Sequence, residues 1–268
     1  MNYYADLYHL KKLLGTPDSD DDLALMAELG AASRHIEQET GRAFSGIQAE
    51  RYFAGAGRSL FLNDDVLAIS EISVNDGDDT FTAMAAADYH LRPQNSFPKA
   101  WLEINPLGDF TAFPRMTNGV KIVGLFGYGA SAAPYRASGV TGTVATTMGT
   151  TLTLSAAGVI RSGMTILCES EQMFVEDVST DPESTTVTVQ RGVNGTTAAI
   201  HSAKDVNIWE YPADITKACL ITAMRWWKRK DSAFQTVVGT PELGQVNIYK
   251  GLDPDVVQIL SKYKRVAV

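Results

Sequence analysis

The sequence predicts an α+β protein. Helical periodicity sits at both ends of the chain, short alternating strands fill the middle, and composition changes abruptly near Ser138. Helices of eight to twenty residues flank segments of β-branched and aromatic residues separated by Gly- and Pro-rich turns. The chain has 268 residues, 45% of them hydrophobic, enough for one large domain or two smaller ones. A low charged fraction, 20%, and a net charge of −8 argue against a broad cationic surface that wraps nucleic acid. They leave room for a channel through which nucleic acid passes without being gripped.

The most strongly written element is Tyr211 to Lys230. Pro212 suits a first turn, and Asp214 complements the positive helix end. Lys228, Arg229 and Lys230 complement the carbonyl end. Ile215, Cys219, Thr222 and Trp226 make one stripe, with Leu220, Ala223 and Trp227 widening it. Consecutive tryptophans point about 100° apart on a helix. Trp226 continues the stripe and is expected in the core. Trp227 is expected at a subunit boundary, and with Lys228, Arg229, Lys230, Tyr249 and Tyr263 it makes up the candidate interface.

At the start, Leu7, Leu10 and Leu14 predict a short helix capped by Asp6 and stopped by Gly15. Ser19 is the expected cap of a second helix with Asp20, Asp21 and Asp22 in its first turn. Leu25, Leu29, Ala32 and Ile36 give its buried stripe, and Gly41 closes it. The acidic run lacks the Gly and Glu of a calcium loop, since Leu23 and Leu29 occupy those positions. Strands follow over 50–54, 59–62, 66–69, 72–75, 89–93, 101–104 and 120–126, with a hairpin turn at Asn75-Asp76-Gly77-Asp78. From 139 to 206 the chain is rich in Thr, Val and Gly, and strands over 142–144, 152–154, 165–168, 172–178, 186–189 and 206–208 predict a small barrel or sandwich. The expected domains are 1–137 with 210–268, and an inserted all-β domain over 138–209. Asp253 and Pro254 open a last helix carrying Val256, Val257, Leu260 and Tyr263.

Catalytic signatures are missing from the sequence. Cys168 and Cys219 match no zinc spacing and are expected as buried free thiols. His9, His35, His90 and His201 are scattered, and are expected as surface or secondary packing residues. Asp64-Asp65 is read as a solvated turn rather than a nuclease carboxylate pair. Gly124, Gly127 and Gly129 lack the Lys-Ser or Lys-Thr of a phosphate loop. Residues 1–14 hold Asp6 and no apolar run, so no signal peptide is expected, and no stretch is long and apolar enough to span a membrane. No enzyme activity, cofactor or metal is expected.

The order of segments resembles the head-to-tail connector, or adaptor, family of long-tailed bacteriophages. The resemblance is carried by Leu7 to Gly15, Asp20-Asp21-Asp22, Glu39-Thr40-Gly41-Arg42, the turn Gly127-Tyr128-Gly129, and Pro212-Ala213-Asp214-Ile215 before an alanine- and Trp-bearing helix. It covers about 1–135 and 210–268. The chain departs from the family pattern by placing a β module between Gly129 and Pro212. Within that module, 163–173 and Arg191 to His201 are similar to small β modules of phage structural proteins. The resemblance implies a helical connector core and a homo-oligomeric ring, commonly a dodecamer, in the virion beneath the portal. Such a ring assembles in the host cytoplasm, passes DNA without tight binding, and offers the tail or a stopper protein a docking surface in head completion. A tail-completion or baseplate-type structural protein is the alternative, and a metal-dependent virion nuclease a more distant one.

Overall fold

The computed structural model describes residues 2–55, 57–78, 80–179, 181, 183–230, 237–238, 246–247 and 251–265. It is a mixed α+β fold with a closed six-stranded barrel inserted among sheet and helices. Two compact units make up the chain. One holds Met1–Gly41, Arg136–Val193 and Thr197–Val268, and the other Arg42–Tyr135 with Asn194–Thr196.

Among the described residues the first unit contains four α-helices: α1 (Leu7–Leu14), α2 (Asp22–Thr40), α3 (Ala213–Arg229) and α4 (Pro254–Ser261). Asp6 caps α1 by accepting from the His9 amide at 3.0 Å, and Gly15 ends it in the left-handed conformation, where glycine carries no Cβ penalty. Gly41 ends α2 in the same way. Asp21, not Ser19, occupies the N-cap of α2, and its side chain makes no cap hydrogen bond; the helix opens at Asp22, two residues later than a Ser19 cap implies. Leu25, Leu29, Ala32 and Ile36 are buried as the stripe predicts, and α2 packs on α3 through Ser33 and Cys219, 3.5 Å apart. The Arg265 amide donates to the Thr40 carbonyl at 2.9 Å, so the end of α4 is pinned to the end of α2. Asp253 caps α4 as expected, accepting from the Asp255 amide at 2.9 Å. Val257 is half exposed rather than part of its buried face, which is Val256 and Leu260.

The barrel of this unit is formed by β7 (Tyr135–Val144), β8 (Thr151–Leu154), β9 (Thr165–Cys168), β10 (Glu171–Val178), β11 (Thr186–Gln190) and β12 (His201–Trp209), in the spatial order β10-β11-β8-β7-β12-β9. Closure removes the exposed sheet edges that short strands of this kind otherwise leave. Val144, Leu152, Ile166, Met173, Val189 and Val206 fill it. Its wall is packed on the N-terminal segment. Tyr3 meets Phe174 edge-on at 4.9 Å, Thr165 Oγ1 donates to Asn2 Oδ1 at 3.0 Å, and the Leu7 amide donates to the Ser162 carbonyl at 3.0 Å.

The second unit is an antiparallel sheet of β1 (Ile47–Phe53), β2 (Ser59–Asn75), β3 (Phe81–Ala83), β4 (Tyr89–Arg92), β5 (Lys99–Ile104) and β6 (Val120–Phe126), ordered β1-β6-β2-β5-β4 with β3 on the end of β2. The three short strands expected over 59–75 are one long strand. Register shifts at Phe61/Val66, Val66/Ala68 and Ile69/Glu71 break its alternation, and the sequence alternation breaks with them. Asp64 and Asp65 lie inside that strand, not in a solvated turn. Asp65 is buried against Arg42, and Asp64 pairs with Arg51. After β6, Gly127 holds a φ of 150° with the Ser45 carbonyl 2.1 Å from where a Cβ would sit, so only glycine fits this turn. A further pair, β13 (Val237–Val238) and β14 (Val246–Asn247), is antiparallel.

Candidate assembly surface

The end of α3 presents charge, and the structure reorders its two tryptophans. Trp227 is buried at 9% exposure, on the arc of Ile215, Cys219 and Ala223. Trp226 is half-buried, its ring 5.6 Å from that of His35. This reverses the expected order within the subunit. The apolar stripe of α3 advances by four residues from Ala223 and so ends on Trp227. Lys230 Nζ lies 3.1 Å from the centre of the Trp227 ring, and 3.8 Å from an Asp21 oxygen. The cation thus sits over the face of the indole. Lys228 is exposed and Arg229 half-buried.

The other members of the predicted interface do not all converge here. Arg225 pairs with Asp253 near the end of α3, and Lys262 with Asp214, 3.7 Å apart, near its start. Helices α3 and α4 are therefore antiparallel, and half-buried Tyr263 lies at the far end of α3 from Trp227, about 20 Å away at 1.5 Å per residue. Tyr249 lies outside the described residues.

A second cluster, not legible as such in the sequence, occupies the rim of the barrel. Glu171 opens β10 fully buried. Its oxygens accept from Arg191 Nε at 2.7 Å and Nη2 at 2.8 Å, from the Gly192 amide at 2.9 Å and from the Ala199 amide at 3.0 Å. His201 Nε2 lies 2.8 Å from the same carboxylate, and His201 Nδ1 lies 3.0 Å from Glu169. Burial alone raises the Glu171 carboxyl. The Arg191 fork, the Ala199 amide, His201 and the Gly192 amide outweigh it and hold the group down to about 2. Arg191 Nη1 also donates to the Thr146 and Gly149 carbonyls at 3.1 and 2.8 Å, and Nη2 to the Ala199 carbonyl. His201 is thus buried at the start of a strand, rather than in a surface loop. The signal available in sequence was the module Arg191 to His201 itself. Its Arg and His bracket a Gly- and Thr-rich segment, and both need a carboxylate that only the fold brings near.

The cluster is saturated. Arg191 spends its donors on Glu171 and three carbonyls. Cys168, beside it, and Cys219 in the helical layer are free buried thiols pushed up to about 11, chiefly by burial. A thiol held that high is a poor nucleophile at neutral pH. Among the described residues, no group of His, Cys, Asp and Glu is arranged to hold a metal ion. No helix among them is long and apolar enough to cross a membrane.

No family model matches the sequence, and no curated protein matches it. Among solved structures, a chain described as "Neck of empty GTA particle computed with C6 symmetry" is similar over 99% of this chain and 91% of that chain, with 15% identity and a TM-score of 0.45. A score of that size does not establish a shared fold.

Proposed function

We infer that the chain is a structural virion subunit of the head-tail junction. Copies close into a ring, a dodecamer in the connector family it resembles, between the portal and the tail or stopper protein. The ring passes duplex DNA without gripping it, in keeping with a chain of net charge −8. The observation that carries this reading is the meeting of the chain's two ends. The connector-like segments lie on either side of the β module, yet α1 and α2 from the first pack with α3 and α4 from the second in one helical layer. The tilted rings of Tyr4 and Tyr211 meet at 4.9 Å, Ser33 meets Cys219, and the Arg265 amide bonds the Thr40 carbonyl. The helical segments of the resemblance, from the two ends of the chain, thus belong to one compact unit. End-on electron micrographs of the purified protein test the reading. Closed rings with a central opening are expected, and open filaments or dispersed single subunits contradict it.

A further inference from the structure

Two of the most exposed apolar side chains in the protein sit on segments clamped by a single buried guanidinium. Met148, at 88% exposure, tips the turn between β7 and β8; Ile200, at 60%, directly precedes β12. Arg191 binds the carbonyls on both sides of Met148, those of Thr146 and Gly149, and also the carbonyl of Ala199 next to Ile200. Arg191 is itself fixed by the fully buried Glu171. All three carbonyls therefore lie around one rigid fork, and the two apolar side chains are held out from neighbouring, pre-ordered backbone. Ordering a loop before contact removes an entropy cost that a mobile loop pays on binding.

The two chain segments that carry them are free of charge. From Ala137 to Ile160, and again from Gly192 to Ile200, the sequence has no charged residue, although the whole chain carries a net −8. The nearby charges are paired: buried Arg191 with Glu171, and half-exposed Lys204 with Glu169 at 2.8 Å. Two copies of an acidic chain repel wherever their acidic surfaces face each other; an uncharged apolar rim escapes that penalty.

We propose that this rim of the barrel, centred on Met148 and Ile200, is a contact between copies of the chain, with a second copy as its occupant. The proposal rests on the ring-forming role inferred above and names one surface that such assembly uses. In a head-to-tail ring the rim of one copy meets a different surface of the next, so a single altered rim weakens every junction.

The test is the sedimentation profile of the full chain and of Met148→Asp, Ile200→Asp and Leu107→Asp. Leu107, at 92% exposure, serves as an equally exposed apolar control on the sheet unit. The three sites are on the surface, and an unchanged circular dichroism melt verifies folding. Loss of the assembled species in both rim variants, with Leu107→Asp sedimenting like the parent, is expected. An assembled parent with rim variants that also assemble overturns the rim contact and leaves the ring reading standing. Dissociation of all three variants alike shows that any added charge disperses the protein, and overturns the rim assignment. A parent that never assembles overturns both. Independently, a benzophenone amino acid at position 148 is expected to cross-link the assembled protein into a species of twice the chain mass; a cross-link formed solely within one chain contradicts the proposal.

Discussion

Glu171 and Arg191 face each other through two parallel hydrogen bonds of 2.7 and 2.8 Å, with the carboxylate fully buried. This pair ties β10 to the end of β11 and, through the spare donors of the guanidinium, to the turn before β8. Removing one partner strands the other's charge in the rim, which typically costs about 3–5 kcal/mol. Arg191→Ala is therefore expected to lower the urea midpoint of the barrel strongly. Arg191→Lys should recover only part of it, because an ammonium cannot form the fork. Equal midpoints for the parent and Arg191→Ala contradict this role.

The same pair sets an acid limit. Glu171 ionises near 2 in the fold, against an ordinary value of 4.5. A carboxyl depressed by folding contributes its full stability above the unfolded value, and loses it as pH falls toward the folded one. The parent is expected to lose stability steadily between about pH 5 and pH 2. Glu171→Gln, less stable at neutral pH, should show a shallower slope across that window. Urea midpoints at several pH values measure both slopes, and parallel slopes remove Glu171 as the cause.

The tryptophan pair tests the helical layer. Trp227 lies in the subunit's own core, so Trp227→Ala should cost roughly 3–5 kcal/mol. Trp226, half-buried beside His35, should tolerate Ala with the fold intact. If Trp226 lies at the subunit boundary in the ring, its loss weakens assembly instead, as loss of an aromatic anchor does. Circular dichroism and light scattering on the two variants separate these effects. A folded, assembling Trp227→Ala protein is the result that fails the assignment.

Replacing 139–208 by a short Gly/Ser linker tests whether the inserted β domain over 138–209 is separable. Closing the gap costs little, since loop entropy changes slowly with length. The barrel, however, covers Tyr3 and bonds Asn2 and Leu7. The shortened chain is expected to keep a cooperative helical transition at 222 nm, at a lower temperature, and to gain protease cleavage ahead of α1. Absence of any cooperative transition shows that barrel and helices form one inseparable core.

Much of this architecture was written locally and was therefore legible. Asp6, Gly15, Gly41 and the Asp253-Pro254 pair mark helix ends through interactions with their own neighbours. Strands β8 and β11 alternate cleanly between exposed and buried positions, and the composition break at Ser138 falls within β7. What escaped depended on distant partners. Asp65 looks like a turn residue until Arg42 is placed beside it, and His201 like a stray histidine until Glu169 and Glu171 enclose it. The Trp226/Trp227 ambiguity is one of phase. Both residues border the same stripe, and the row that α3 buries, Ile215, Cys219 and Ala223, ends on Trp227.

The most direct measurement of the central claim is the mass of the native protein in solution, taken across a wide concentration range by native mass spectrometry. A structural ring subunit predicts one dominant closed oligomer, a fixed multiple of 29.0 kDa, with no larger open series. A single species of 29.0 kDa at every concentration contradicts the account.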